Sequence, residues 1–222
     1  MTELAARTTH EGQLIVVDNN SSDATAQIAR DHGATVVYEP VNQIARARNR
    51  GAEAAEGEAL IFLDADSQCT SFLLGHVLDL LGAGKTVGGG STIAPDRPLR
   101  GAAHRGLNLW NQIALQGRLA AGCFVYCRKD AFLDVGGFNA RVYAGEEIFL
   151  SRALKRWGRQ RHMGFHIATV SPVITSVRKL DWYSPAQIVS QAVLVLIPGA
   201  VYSKRFCKTW YGSGSRKKRS NR

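Results

Sequence analysis

The chain has no apolar run of the ~20 residues that a membrane-spanning helix requires. Its longest weakly polar stretch, Ala186–Tyr202, is interrupted by Ser190, Gln191 and Pro198. Met1–Gln13 is polar and lacks the apolar centre of a secretory leader, so none is expected there. Cysteine is scarce. Cys69, Cys123, Cys127 and Cys207 form no C-x-x-C pair, and a strand is expected between Cys123 and Cys127. That argues against a zinc ribbon or a disulfide scaffold and fits reduced thiols in the cytoplasm. No internal repeat of about 20–50 residues is visible, which excludes a solenoid or propeller.

Acids are also in short supply, 18 Asp and Glu against 28 Lys and Arg, for a net charge of +10. Arg216–Arg222 carries five of those charges and leaves the body at +5. A moderately basic body suits an anionic substrate or an anionic membrane surface. The tail has no interleaved aromatics on which bases could stack, so nucleic acid is not an expected partner. With 45% hydrophobic and 21% charged residues, the 222-residue chain has the composition of a folded domain.

What is present is organised around Ala59–Asp66, A-L-I-F-L-D-A-D. Five apolar residues read as a strand buried on both faces, and two acids follow at its C-terminal end, where open α/β sheets bind ligands. Asp64 and Asp66, two apart on an extended segment, would face one way and share a hard divalent cation. D-x-D is also ordinary turn and cap chemistry.

Leu14–Val17 is a second short apolar strand, ended by Asp18 and the turn-rich Asn19–Asp23. A helix over Ala24–Asp31, a strand over Thr35–Tyr38 and a helix over Ile44–Ala55, capped by Asn42, lead to the central strand. This β-α-β-α-β order predicts right-handed crossovers and a parallel sheet with helices on both faces. Further on, helices are expected from Thr70 or Ser71 to about Leu81, over Gly106–Leu119, over Lys129–Val135 and over Glu146–Trp157. Strands are expected over Val87–Ile93 and Cys123–Tyr126. Gly82–Thr86 resembles the end of a phosphate-binding P-loop, but Asp79 stands where that loop needs glycine, so it reads as a helix C-terminus.

Five stretches in order carry a family resemblance: V-V-D-N-N-S-S-D at Val16–Asp23, A-R-N-R-G-A-E-A-A-E-G-E at Ala47–Glu58, F-L-D-A-D at Phe62–Asp66, G-G-F at Gly136–Phe138 and G-E-E-I-F-L-S-R-A-L-K-R-W-G at Gly145–Gly158. Over roughly Leu14 to Lys179 the chain resembles the family-2 glycosyltransferases of the GT-A fold, inverting enzymes that use nucleotide sugars. The resemblance implies a Rossmann-like, mostly parallel α/β domain and a Mg²⁺ or Mn²⁺ cofactor. The partners it implies are a UDP- or GDP-sugar donor and a hydroxyl acceptor.

It also implies roles. Asp18 would bind the nucleotide base, where simple capping of the next helix is the alternative. Asp64 would face the ribose or the metal, and Asp66 would hold the metal bridging the two phosphates. Arg46 and Arg48 read either as a solvated helix face or as a phosphate or base contact. Of the acid pair, Glu147 matches the family's catalytic base, with Glu146 orienting the acceptor or sharing the role, although acids in a first helical turn also complement the helix dipole. His162 and His166 fall in the next expected strand, where some GT-A enzymes bind metal. Arg178 and Lys179, in T-S-V-R-K, either close over the diphosphate or form an exposed basic loop.

The family's first strand and helix have no counterpart before Leu14, and Thr2–Thr9 reads as the last turns of that helix. The expectation is an N-terminally shortened or late-started chain with one wall of the base pocket missing. The organisation expected is a GT-A domain over 1–180, a C-terminal helical segment over 181–211 and a basic, disordered tail over 212–222. The helical segment either packs on the domain or lies in the interface of an anionic membrane, on its cytoplasmic face. Against a transferase in polysaccharide, glycolipid or cell-envelope synthesis stands a catalytically silent nucleotide-sugar-binding or scaffold homologue.

Overall fold

The computed structural model describes residues 11–182, 200–203 and 207. The rest of segment 181–211 and the tail 212–222, with the expectations attached to them, lie outside the described residues. The alternation of strand and helix is as expected: β1 (Ile15–Asp18), α1 (Thr25–Asp31), β2 (Thr35–Tyr38), α2 (Ile44–Ala54) and β3 (Ala59–Leu63). Then come β4 (Ser67–Gln68), α3 (Ser71–Gly82), β5 (Thr86–Pro95), α4 (Gly101–Gly117) and β6 (Phe124–Arg128). The last elements are α5 (Lys129–Asp134), α6 (Glu146–Arg159), β7 (Gly164–Thr175) and α7 (Lys179–Trp182).

The strands form two sheets. β1 and β2 pair in parallel by themselves, and the other five are ordered β3-β6-β5-β7-β4. In the larger sheet β5 and β7 are parallel over most of their length, while β3–β6, β6–β5 and β7–β4 are antiparallel. One unbroken parallel sheet through β3 is therefore not formed. Among the described residues β1 has only β2 as neighbour, and β3 only β6.

The pleat divides the core. Val125 and Cys127 face one side, in a cluster with Leu60, Phe132, Phe138, Leu150, Leu154 and Phe165 under α2, α5 and α6. Phe124 and Tyr126 face the other, with Leu73, Val77 and Leu81 of α3. Helices thus cover both faces of the sheet, as the period-2 and period-3.6 patterns require. Helix α6 buries Leu150, Leu154 and Gly158 at four-residue spacing.

Local signals differ in how well they hold. Thr70 accepts a hydrogen bond from the Leu73 amide at 3.1 Å and caps α3 as expected. The α2 cap falls on Gln43 rather than Asn42, and the Gln43 side chain reaches away from its own helix to the carbonyls of Ala140 and Val142. Helix α4 starts at Gly101, not Gly106: Ala102 and Ala103 are strong helix formers, and Gly106 is tolerated inside.

Candidate active site

Helix α2 holds the site together. Arg48 points inward, its side chain 11% exposed. Its Nη2 donates to Asp64 Oδ1 at 2.8 Å and to the Gly122 carbonyl at 2.6 Å, and its Nη1 donates to Glu146 Oε1 at 2.8 Å. The guanidinium also lies over the Phe138 ring, 5.2 Å from its centroid. One turn of α2 therefore joins the acid after β3, the loop before β6 and the first turn of α6. Neither sequence reading of Arg48, a solvated face or a phosphate contact, describes this buried bridge between acids. The next residue, Asn49, exchanges two hydrogen bonds with the Phe138 backbone, at 2.8 and 2.9 Å. A side chain at Gly137, where φ is +69°, would come within 2.8 Å of Asn49 Oδ1, so A-R-N and G-G-F interlock.

Asp64 and Asp66 do not lie on an extended segment. The Ser67 amide donates to the Asp64 carbonyl at 2.9 Å, which closes a turn over 64–67. The two carboxylates take different cations, Arg48 on Asp64 and Arg178 on Asp66 at 3.1 Å. Arg178 is carried there by β7. Thr175 pairs with Ser67, and the Ser176 amide donates to the Asp66 carbonyl at 3.1 Å. Asp64 and Asp66 are 42% and 29% exposed, open enough to take a ligand. Among the described residues no group of three His, Cys, Asp or Glu could hold a metal. Two carboxylates alone fit a hard divalent ion that completes its shell with phosphate oxygens and water, and not a zinc site.

Glu146 is buried, its side chain 6% exposed, and neutralised by Arg48. Beside it Glu147 is only partly accessible. Burial, then the charge of Glu146, pushes its carboxyl up to about 7, against the opposing pull of Arg48. Gly122 leaves room for that carboxyl, since a Cβ there would sit 3.4 Å from the Glu147 carboxyl carbon. Cys123, whose carbonyl accepts from the Asp64 amide, is not a nucleophile: burial and the neighbouring Asp64 push its thiol up to about 12. Gly122 has no role in the sequence reading and Cys123 only that of a reduced thiol at a strand start; the small-residue run Ala120-Ala121-Gly122 was the one signal there.

The other expected residues lie apart from this cluster. Asp18 accepts from the Ser21 amide at 2.9 Å, and the Ser21 hydrogen bonds hold its carboxyl below the usual range. Asp18 thus closes the turn at Ser21 and does not cap α1, whose N-cap is Ala24 with no side-chain hydrogen bond. Arg46 donates to Glu39 at 3.0 Å and ties α2 to the end of β2. Asn19 fastens the same corner, donating to the Glu39 and Val41 carbonyls. His162 sits in a turn with φ +57°, not in a strand, and His166 lies at the opposite end of β7 from Thr175.

With the geometry in view, the family model of glycosyl transferase family 2 matches residues 2–138. The chain belongs to glycosyl transferase family 2. Compared with curated proteins, this family member has no match. Among solved structures it is similar to a mannosyltransferase from Pyrobaculum calidifontis in complex with GDP-Man and Mn²⁺, at 15% identity and a TM-score of 0.65, over 86% of this chain and 56% of that one. It is similar to S. aureus TarS 1-349 with UDP-GlcNAc, at 16% identity and a TM-score of 0.59, over 86% and 60%. It is also similar to glucosyl-3-phosphoglycerate synthase from Mycobacterium tuberculosis, at 19% identity and a TM-score of 0.54, over 82% and 66%. These likenesses show the GT-A fold, and the chain spans less than two thirds of each of those structures.

Proposed function

We propose that this domain transfers a hexose from a UDP- or GDP-sugar to a hydroxyl acceptor with inversion, in polysaccharide, glycolipid or cell-envelope synthesis on the cytoplasmic side of the membrane. The observation that carries the reading is the Arg48 bridge. It joins the partly exposed Asp64, which follows β3, to the acid pair of α6 through the buried Arg48 and Glu146, at the C-terminal edge of β3. Free thiols at all four cysteines support the cytoplasmic setting. The solved relatives that carry GDP-Man, UDP-GlcNAc or UDP-Glc support the donor class, and the two with Mn²⁺ support a divalent metal.

In this reading Asp66 and Asp64 hold Mg²⁺ or Mn²⁺, which when bound offsets the charge on the departing diphosphate. Glu147 accepts the acceptor hydroxyl proton as that oxygen attacks the anomeric carbon and the bond to the diphosphate breaks. A carboxyl titrating near neutrality suits a base at working pH. Glu146, held by Arg48, fixes the first turn of α6 so that Glu147 keeps its place. Arg178 exchanges Asp66 for a diphosphate oxygen as the donor enters. Asp18 and Arg46 would meet the nucleotide from the β1–β2 side.

Calorimetric titration of UDP and GDP with and without Mn²⁺, against wild type and Asp66→Ala, tests the donor site. Metal-dependent binding that the variant loses is the expected result. Binding of neither nucleotide would overturn it. The alternative, a silent nucleotide-sugar-binding homologue, is favoured by β1 and β3 each having only one strand neighbour among the described residues. Nucleotide binding without donor turnover would select it.

A further inference from the structure

Acidic residues are missing from two long stretches, between Asp96 and Asp130 and between Glu147 and Asp181. The structure brings these stretches together. Lys155 Nζ of α6 donates to the Gly117 carbonyl at the end of α4, at 2.8 Å. Arg118, Arg152 and Arg159 crowd around that lysine, and their charges, after burial, pull its ammonium below its ordinary value. Among the described residues none of these four cations has a carboxylate within ion-pair distance. Structural ion pairing therefore does not account for them.

The outer face of α4 adds a second feature. Asn111 turns toward β5 and bonds both polar groups of the Ile93 backbone, and Ala114 is buried. Leu109 and Ile113, one turn apart on the opposite face, are 61% and 44% exposed, with exposed Arg105 one turn before Leu109. An aliphatic pair between cations is the composition of a helix that lies in a membrane interface: the apolar side chains enter the headgroup boundary and the cations meet anionic lipid. A nucleic-acid duplex would engage the cations through its phosphates and leave Leu109 and Ile113 without an apolar counterpart.

The face also leads to the candidate active site. In the loop before α4, the Asp96 amide donates to the Thr175 carbonyl, and the Asp96 carboxylate accepts from the Val177 amide, one residue before Arg178.

We propose that the outer face of α4, with the basic end of α6, docks on an anionic lipid bilayer and sets the mouth of the candidate active site beside it. The transferase reading enters only in what the bilayer would present, a lipid-borne acceptor. The docking itself does not require turnover.

The test is flotation of the full chain with vesicles of phosphatidylglycerol and phosphatidylcholine, and with phosphatidylcholine alone. Binding to the anionic vesicles only, weakened by salt, is expected. Leu109→Glu/Ile113→Glu and Arg118→Ala/Arg152→Ala should each lower the vesicle partition coefficient about tenfold, with unchanged melting temperature. Asp66→Ala should bind like wild type, which separates this idea from the transferase reading. Three results would overturn the proposal. One is no binding to anionic vesicles at low salt. Another is binding that both double variants keep but that removal of 216–222 abolishes, which places it in the tail. The third is vesicle binding that Leu109→Glu/Ile113→Glu leaves intact and a short DNA duplex displaces, which marks a general polyanion patch.

Discussion

The β1–β2 unit and the five-stranded sheet each carry part of the candidate site on supports of different strength. Helix α1 over the small unit buries no residue, and Leu14, Ile28, Tyr38 and Val41 are exposed. The large sheet holds Leu73, Val77, Phe124, Tyr126 and Leu154 at 0% exposure, with apolar clusters on both faces. Asp64, Asp66, Glu146 and Glu147 belong to the well-packed part, and Asp18, Glu39 and Arg46 to the other. Helix α2 touches both, packing on β1 and β2 and reaching Asp64, Glu146 and Phe138 through Arg48 and Asn49. The residues assigned to chemistry are thus rigidly supported, while those assigned to the nucleotide stand on a unit that would open at lower cost.

The largest break in this comparison should come from Arg48→Met. It strands the buried Glu146 carboxylate, which should cost about 4 kcal/mol and be read as a lowered urea midpoint. Arg46→Met, on the exposed side of the same helix, should cost under about 0.5 kcal/mol in the same measurement. If the two variants melted alike, the division into a strong and a weak support would be wrong. Next, Leu154→Ala in the large core should cost about 3 kcal/mol by leaving a cavity. Ile28→Ala on α1 should stay within about 0.5 kcal/mol.

Glu147→Gln separates function from stability. In the folded protein the carboxyl is raised above its ordinary value, so it favours the fold while protonated. That contribution is complete below the unfolded value and fades as pH rises through about 7. Transfer by the wild type should climb over the same range as the base ionises. The variant should lose transfer at every pH, yet at pH 8 be more stable than wild type by on the order of 2 kcal/mol, seen as a higher melting temperature. A variant that melts below wild type at pH 8 would contradict the buried-base reading. The smallest effect concerns dynamics alone. Amides of β1 and β2 should exchange faster than those of β5 and β7 in native-state hydrogen exchange, and equal protection would erase the contrast.

The five quoted stretches and nearly every strand and helix were legible in order, because apolar period and cap chemistry act within a few residues. The misplacements have both distant and local causes. Gln43 left its own helix for the 140–142 loop, and the aspartates bent into a turn where an extended strand was expected. Asp18 read in sequence as a base contact or a helix cap, and its carboxylate instead holds the Ser21 turn ahead of α1.

By itself, then, the sequence determined the α/β alternation, the two apolar faces and the identities of Asp64, Asp66, Glu146 and Glu147 as acids placed at element ends. Only the tertiary structure decided that Arg48 is a buried bridge, reaching Asp64 16 residues away and Glu146 98 residues away. Arg46 and Arg48 stand two residues apart on one helix, each preceded by an alanine, and nothing local distinguishes the one that will be desolvated. The cost of removing charge from water is settled by what closes around it, and here that is chain from β3, the 120–123 loop and α6.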